Sequence, residues 1–259
     1  MSNYNYKVDS ELGLLVVRVP GENADKFVSR KKELYHISLI EDLKINQEII
    51  YLDVESGIKI SKYVEGQLIN ANNLENLELI KLFKNYHSLL STFDYHPFLR
   101  IEEFESYCDN QSEEYFQLKE KLLYYKDYLQ SQNKVFCHND SQPFNMILGS
   151  DQIYLLDWEY AGNNDPVYDL VCFSEDYGAD NENISDDLLR SYFGEINFDL
   201  KKRKILWTIF QSLQWYNVAL FKENTGMSAK LDVDFNKVCE FFIDKSKIKF
   251  KELRRLENE

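Results

Sequence analysis

The sequence predicts an α+β fold of two lobes, a small β-rich N-lobe over residues 1–66 and a larger, mostly helical C-lobe over residues 67–259. Three observations predict it. Alternating or compact apolar runs closed by turn residues fill the first part of the chain. From about Asn72 onward the apolar residues recur at helical spacing. Between Lys134 and Asp157 that spacing gives way once to short strands and loops.

The elements follow in order. Tyr4, Tyr6 and Val8 alternate with polar residues, the pattern of a half-buried strand. Gly13 marks a turn, and Leu14–Val19 is a compact strand closed by Pro20 and Gly21. A helix is expected from about Ser29 to Leu43, with Leu34, Ile37 and Ile40 on its apolar side. Short strands are expected near Glu48–Leu52 and Gly57–Tyr63, and residues 64–70 connect the lobes. Leu74–Leu90 and Glu113–Leu129 read as helices. So does the chain after Pro166, which ends in charged amphipathic helices near Leu200–Phe221 and Val233–Leu256.

Composition narrows the function. The chain has 259 residues, 44% of them hydrophobic, which is enough to bury a core. A net charge of -14, from 44 acidic and 30 basic residues, argues against nucleic acid as partner. An anionic ligand would be repelled at long range and so needs local cations and metal, whereas a cationic ligand would be attracted. The four cysteines form no CxxC pair, as expected of free thiols in a reducing cytoplasm. The segment Met1–Val8 is polar, with no signal-peptide core, and no apolar run approaches the ~20 residues that span a bilayer. A soluble, cytoplasmic protein is expected.

The segment Val135–Leu148 followed by Ile153–Glu159 carries the chemistry. Asp140 and Asn145 are five residues apart, and Asp157 ends the next apolar strand. Phosphoryl transfer needs a carboxylate to orient the attacking hydroxyl and accept its proton. It also needs oxygen ligands that hold magnesium against the phosphates. A loop beginning at Asp140 supplies the first, and Asn145 with Asp157 supply the second. His138 is expected to hold the loop by hydrogen bonds rather than to react. Asp169, after the Asn163–Pro166 turn, either starts a helix or braces that loop.

The runs CHNDSQPFN and LLDWEYAGNNDPVYDL resemble the choline and ethanolamine kinases, especially those of bacteria, within the aminoglycoside phosphotransferase and protein-kinase-like superfamily. The resemblance covers nearly the whole chain. It implies a two-lobed protein-kinase-like fold with an N-terminal nucleotide-binding lobe and a C-terminal catalytic and acceptor-binding lobe. It also implies ATP and magnesium as cofactors, Asp140 as catalytic base, and Asn145 and Asp157 as metal ligands. The run Val16–Gly21 resembles the family's third strand, with Arg18 meeting ATP phosphates. Arg30-Lys-Lys-Glu33 resembles the helix that offers a glutamate to that cation, with a solvated helix charge as the competing account of Glu33. Gly57–Gly66 resembles the strand and hinge against which adenine lies, with Lys62 and Tyr63 as nucleotide-binding candidates. The implied reaction is transfer of the γ-phosphoryl group to a small amino alcohol, choline by first preference. Ethanolamine, an aminoglycoside or another hydroxyl compound are the alternatives, and a non-catalytic ligand-binding relative is the reading from a different class.

Two departures from the family stand out. The family has a strand and a glycine-rich turn before the segment that Ser2–Val8 resembles. Met1 falls where the middle of that turn belongs, which implies a truncated N-lobe in which Ser2, Asn3 and Asn5 touch phosphate. The acceptor site of the family uses aromatic faces and acidic groups around a cationic head. The candidates here are Trp215, Trp207 and Tyr216 with Glu159, Glu175 or Asp176. The family often pairs two tryptophans three residues apart, but three residues after Trp215 stands Val218. Ordinary core packing is the competing account of Trp207 and Trp215.

Overall fold

A computed structural model describes residues 3–69, 76–176 and 182–258; Ser2 lies outside the described residues. In chain order the elements are β1 (Tyr4–Ser10), β2 (Gly13–Val19), α1 (Arg30–Leu39), β3 (Ile49–Leu52), β4 (Lys59–Lys62), β5 (Gln67–Leu68), α2 (Asn76–His87), α3 (Pro97–Ser106), α4 (Glu113–Leu123), α5 (Lys126–Gln130), β6 (Val135–Cys137), β7 (Met146–Leu148), β8 (Ile153–Leu155), β9 (Gly162–Asn164), α6 (Pro166–Asp176), α7 (Glu182–Phe193), α8 (Phe198–Asn224), α9 (Met227–Leu231) and α10 (Phe235–Asn258). They fall into two compact units, one of residues 1–95 and 134–194, the other of residues 96–133 and 195–259.

The first unit carries three sheets: an antiparallel one ordered β1-β2-β4-β3, one ordered β5-β7-β8, and the pair β6-β9. Residues directly opposite in an antiparallel ladder share a face. Arg18 of β2 stands opposite Asn5 on one side and Lys59 on the other, so these three side chains share one face. The register Leu15↔Lys62 puts Lys62 on the other face. The centre of this unit is Trp158, which is fully buried, stacked on Phe136 at 5.7 Å and met edge-on by Tyr86.

The second unit is helical among its described residues. Its central helix α8 starts at the side-chain cap of Asn197, which accepts from the Leu200 N–H at 2.9 Å. Phe98 and Trp207 meet Phe210 edge-on at 5.4 and 5.5 Å. Tyr115 and Tyr216 stack at 4.9 Å. All four cysteines are free and buried. No described helix is long and apolar enough to cross a membrane.

Several elements differ from the sequence reading. The strand at Tyr4–Val8 exists, at the edge of its sheet, but is not half-buried: Tyr4 and Tyr6 are 59% and 55% exposed. The first helix ends at Leu39 and continues only as a 3₁₀ turn, Glu41–Leu43, which Lys44 stops in the left-handed region at φ 55°. Its buried side is polar: Arg30, Glu33 and His36 point inward while Leu34 is exposed. The expected helix over Glu113–Leu129 breaks at Tyr124–Tyr125 into α4 and α5. The strand β9 is the buried run Gly-Asn-Asn, with no apolar signal to announce it.

His36 generates a stability prediction. Its Nε2 lies 3.0 Å from Ser91 Oγ. Burial, helped by the Lys32 charge, holds its pKa down at about 4, against an ordinary 6.5. A histidine depressed in the fold adds stability that is complete above pH 6.5 and is lost as pH falls from there to about 4. Between pH 7 and 5 this amounts to roughly 2 kcal/mol. Urea denaturation at both values should show a smaller loss for His36→Phe than for the parent. Equal losses would show that another group titrates.

Candidate active site

The loop after β6 is built around one buried carboxylate. Asp169, on the first turn of α6, is fully buried. Its Oδ2 accepts from the His138 N–H at 2.8 Å and from the Tyr86 hydroxyl at 2.8 Å, and lies 3.2 Å from His87 Nε2. Its Oδ1 accepts from the Asn139 N–H at 2.7 Å. Burial alone would raise its pKa, but His87 and the His138 N–H outweigh burial and hold it below the usual range. The Ser141 hydroxyl donates to the Asp169 carbonyl at 2.8 Å.

Two consecutive N–H groups aimed at one carboxylate require a sharp backbone path, and Asn139 follows it at φ 62°. Asparagine tolerates that region because its short amide bonds locally. Here the amide nitrogen donates to the carbonyls of Cys137, Tyr160 and Gly162, and its oxygen accepts from Asn164. His138 is buried, and burial lowers its pKa, so the ring is neutral. Nε2–H donates to the Leu156 carbonyl at 2.9 Å, which leaves Nδ1 to accept from the Asp140 N–H at 3.2 Å. The ring thus ties the loop to the end of β8.

Asp140 is half-buried. Its Oδ1 accepts from the Gln142 amide at 2.9 Å and its Oδ2 from the Asn145 amide at 3.0 Å. The same Asn145 nitrogen donates to the Asp140 carbonyl at 2.8 Å, so these bonds leave out the Asn145 side-chain oxygen. The Asn145 carbonyl accepts from the Leu156 N–H at 2.8 Å, which continues the Met146↔Leu155 register and pairs Asn145 with the residue before Asp157. Asp157 sits in the left-handed region at φ 67°. Strain of that kind persists where neighbours impose it.

Asp157 belongs to an ion cluster. Arg18 reaches Asp157 Oδ1 at 2.6 Å, Glu33 Oε2 at 2.8 Å and Glu159 Oε2 at 3.4 Å. Lys59 reaches Glu33 Oε1 at 2.9 Å and Asp157 Oδ1 at 3.6 Å. Arg30 lies 3.5 Å from both Glu33 and Glu159. The Arg30 guanidinium packs over Gly57, whose φ is 73° and where a Cβ would come within 2.6 Å of its Nε. Burial would raise the Glu33 pKa, but Lys59 and Arg18 more than offset it and hold it near 2. Burial and the adjoining Asp157 push Glu159 up to about 8, against the pull of Arg18.

Glu33 is therefore a buried ion-pair partner and not a solvated helix charge. Lys62 lies on the face away from Arg18 and its Nζ donates to the Leu12 carbonyl; the basic residue of β4 on the Arg18 side is Lys59. Sequence reading missed Lys59, Arg30 and His87. Only Lys59 left a signal, as the first of two basic residues in the strand expected over Gly57–Tyr63, and using it required the register. Tyr63 is 37% exposed with Lys7 Nζ 3.9 Å above its ring. Asn5 is exposed opposite Arg18, and Asn3 has a buried, unpartnered side-chain oxygen.

The acceptor candidates separate. The side chains of Glu175 and Asp176 lie outside the described residues. Trp207 is 1% exposed, within the packing of α8. Tyr216 is 4% exposed, and its hydroxyl accepts from the Ser112 N–H at 2.9 Å. Trp215 is half-buried.

Asp169→Asn would put an amide where four donors converge. Leaving buried donors unsatisfied costs ~1–3 kcal/mol for each group stranded. Urea denaturation should show a loss of roughly 2–4 kcal/mol. A loss below about 0.5 kcal/mol, the scale of an ordinary surface change, would mean the carboxylate is not the anchor.

The phosphotransferase enzyme family matches this chain over residues 2–206. The chain is 26% identical over 256 residues to protein LicA of Haemophilus influenzae, covering 87% of this chain and 92% of that protein. Among solved structures, choline kinase LicA from Streptococcus pneumoniae aligns with a TM-score of 0.82 at 22% identity, over 97% of this chain and 91% of that one. A choline/ethanolamine kinase family protein from Mesorhizobium loti aligns with a TM-score of 0.78 at 19% identity, over 98% and 90% of the two chains. The fold is thus the α+β protein-kinase-like one, and the chain, a small-molecule kinase, belongs to the phosphotransferase enzyme family.

Proposed function

We propose that this protein transfers the γ-phosphoryl group of magnesium–ATP to the hydroxyl of a small amino alcohol, choline by preference. One observation carries the reading: the half-buried Asp140 carboxylate is aimed by two side-chain amides, one of them from Asn145, whose carbonyl is bonded to Leu156, the residue before Asp157. Amide donors to a carboxylate favour its ionised form, which is the form that accepts a proton. Asp140 takes the proton of the acceptor hydroxyl, and Asn145 holds that carboxylate in line. Gln142 steadies its other oxygen.

The donor set suits magnesium. Asp157 keeps a third of its side chain exposed, and Asn145 has spent its amide nitrogen on Asp140, so its oxygen is the atom left to bind. Both offer hard oxygen ligands. When bound, the metal neutralises charge on the phosphates. Arg18 presents a guanidinium from a rigid strand, a geometry suited to phosphate oxygens. The choline preference is supported by the likeness to a choline kinase, and the excess negative charge is in keeping with a cationic acceptor of any of the kinds considered. Among the three aromatic candidates on α8, Trp215 is the one not already buried, and we assign it to the cationic head.

A phosphoryl-transfer assay over choline, ethanolamine and an aminoglycoside tests the acceptor class. Asp140→Asn should lower turnover by ~10²–10⁴ while leaving magnesium–ATP binding and the melting temperature in place. Near-full turnover in that variant would remove Asp140 as base. Trp215→Ala should raise the choline KM about tenfold, equivalent to ~1.4 kcal/mol, with a smaller effect on ATP. An unchanged choline KM would return Trp215 to the core.

A further inference from the structure

We propose that Lys59 is a second phosphate-binding cation, which takes oxygens of a nucleoside triphosphate beside Arg18. The inference rests on the nucleotide reading above and deepens it. Lys59 stands directly opposite Arg18 in the β2–β4 ladder, so both side chains leave the same face. Its side chain is 4% exposed.

Orienting Arg18 does not require Lys59. Glu33 Oε2 already receives Arg18 at 2.8 Å, and a single carboxylate–guanidinium pair would fix its direction. A second cation on the other oxygen adds the cost of burying a strongly hydrated ammonium. What it gains is position. Glu33 spaces a guanidinium and an ammonium side by side, and both then reach one and the same oxygen: Asp157 Oδ1 lies 2.6 Å from Arg18 and 3.6 Å from Lys59. That atom marks a place where an anionic oxygen meets both cations. A phosphate oxygen is an equivalent acceptor.

The ion pairs point the same way. Arg18, Arg30 and Lys59 face Glu33, Asp157 and Glu159. Once Asp157 turns to a metal, Arg18 and Lys59 lose the oxygen they share. Arg18 still has Glu33 and Glu159, whereas among the ion pairs of this cluster Lys59 keeps only Glu33, which it shares. An ammonium carries three donors, and a phosphate replaces the partner it loses.

Calorimetry on the full chain tests this, with magnesium–ATP and adenosine as ligands. Lys59→Met should weaken magnesium–ATP binding roughly tenfold to a hundredfold, the size of one lost charge-assisted hydrogen bond. It should leave adenosine within about threefold of the parent. Lys59→Arg should recover most of the loss. If the methionine variant does not fold, Lys59→Gln, which keeps a donor toward Glu33, is measured in its place, with the same result expected. Unchanged magnesium–ATP affinity, equal losses for both ligands, or an arginine variant no better than methionine would overturn the proposal. Failure of the folded parent itself to bind magnesium–ATP would overturn the nucleotide reading and this inference with it, a result distinguishable because it needs no variant.

Discussion

The bonds from the Asp169 carboxylate to the consecutive N–H groups of His138 and Asn139 decide where everything else in the site can be. Those two bonds force Asn139 into the left-handed region, and the next residue, Asp140, leaves the turn in a set direction. From there each link depends on the one before. His138 can accept from the Asp140 N–H only if its other nitrogen donates to Leu156, and Leu156 in turn donates to the Asn145 carbonyl. The loop and the end of β8 are thereby one hydrogen-bonded unit. A carboxylate with four donors in a buried setting is costly to disturb, because any displacement strands several polar groups together.

The ion cluster solves a different problem. Cations buried side by side repel each other and need an anion between them. Here Glu33 bridges Arg18 and Lys59, and Asp157 Oδ1 lies within reach of both. The arrangement also explains why α1 turns Arg30 and Glu33 inward and leaves Leu34 outside. Ion pairs set the face that the helix buries, which is why Leu34 lies outside while Ile40, just past the helix end, is buried as its spacing predicted.

That contrast marks how far the sequence could be read. Asp140, Asn145 and Asp157 were legible as a set because a loop and a short strand keep them close along the chain. Arg18 was legible as a cation inside an apolar strand. Lys59 was not, since separating it from Lys62 takes the β2–β4 register, a long-range property. Arg30 and His87 were not, because Glu159 and Asp169, the partners that tie them to the site, lie about 130 and 80 residues away. β9 escaped notice because its residues are buried for their hydrogen bonds and not for their hydrophobicity. The turn at Tyr124–Tyr125 interrupts a sequence whose helical periodicity shows no break.

The net charge of -14 and the buried cations act over different ranges, which reconciles an acidic protein with an anion site. In physiological salt the Debye length is about 8 Å, so charges dispersed over the surface reach a distant anion only weakly. Arg18 and Lys59, each about 95% buried, act at contact distance in a setting where screening is poor. Each surface carboxylate therefore costs an approaching anion little, while each buried cation contributes strongly once the anion has arrived. For a cationic partner the signs reverse, and the same dispersed charge assists its approach.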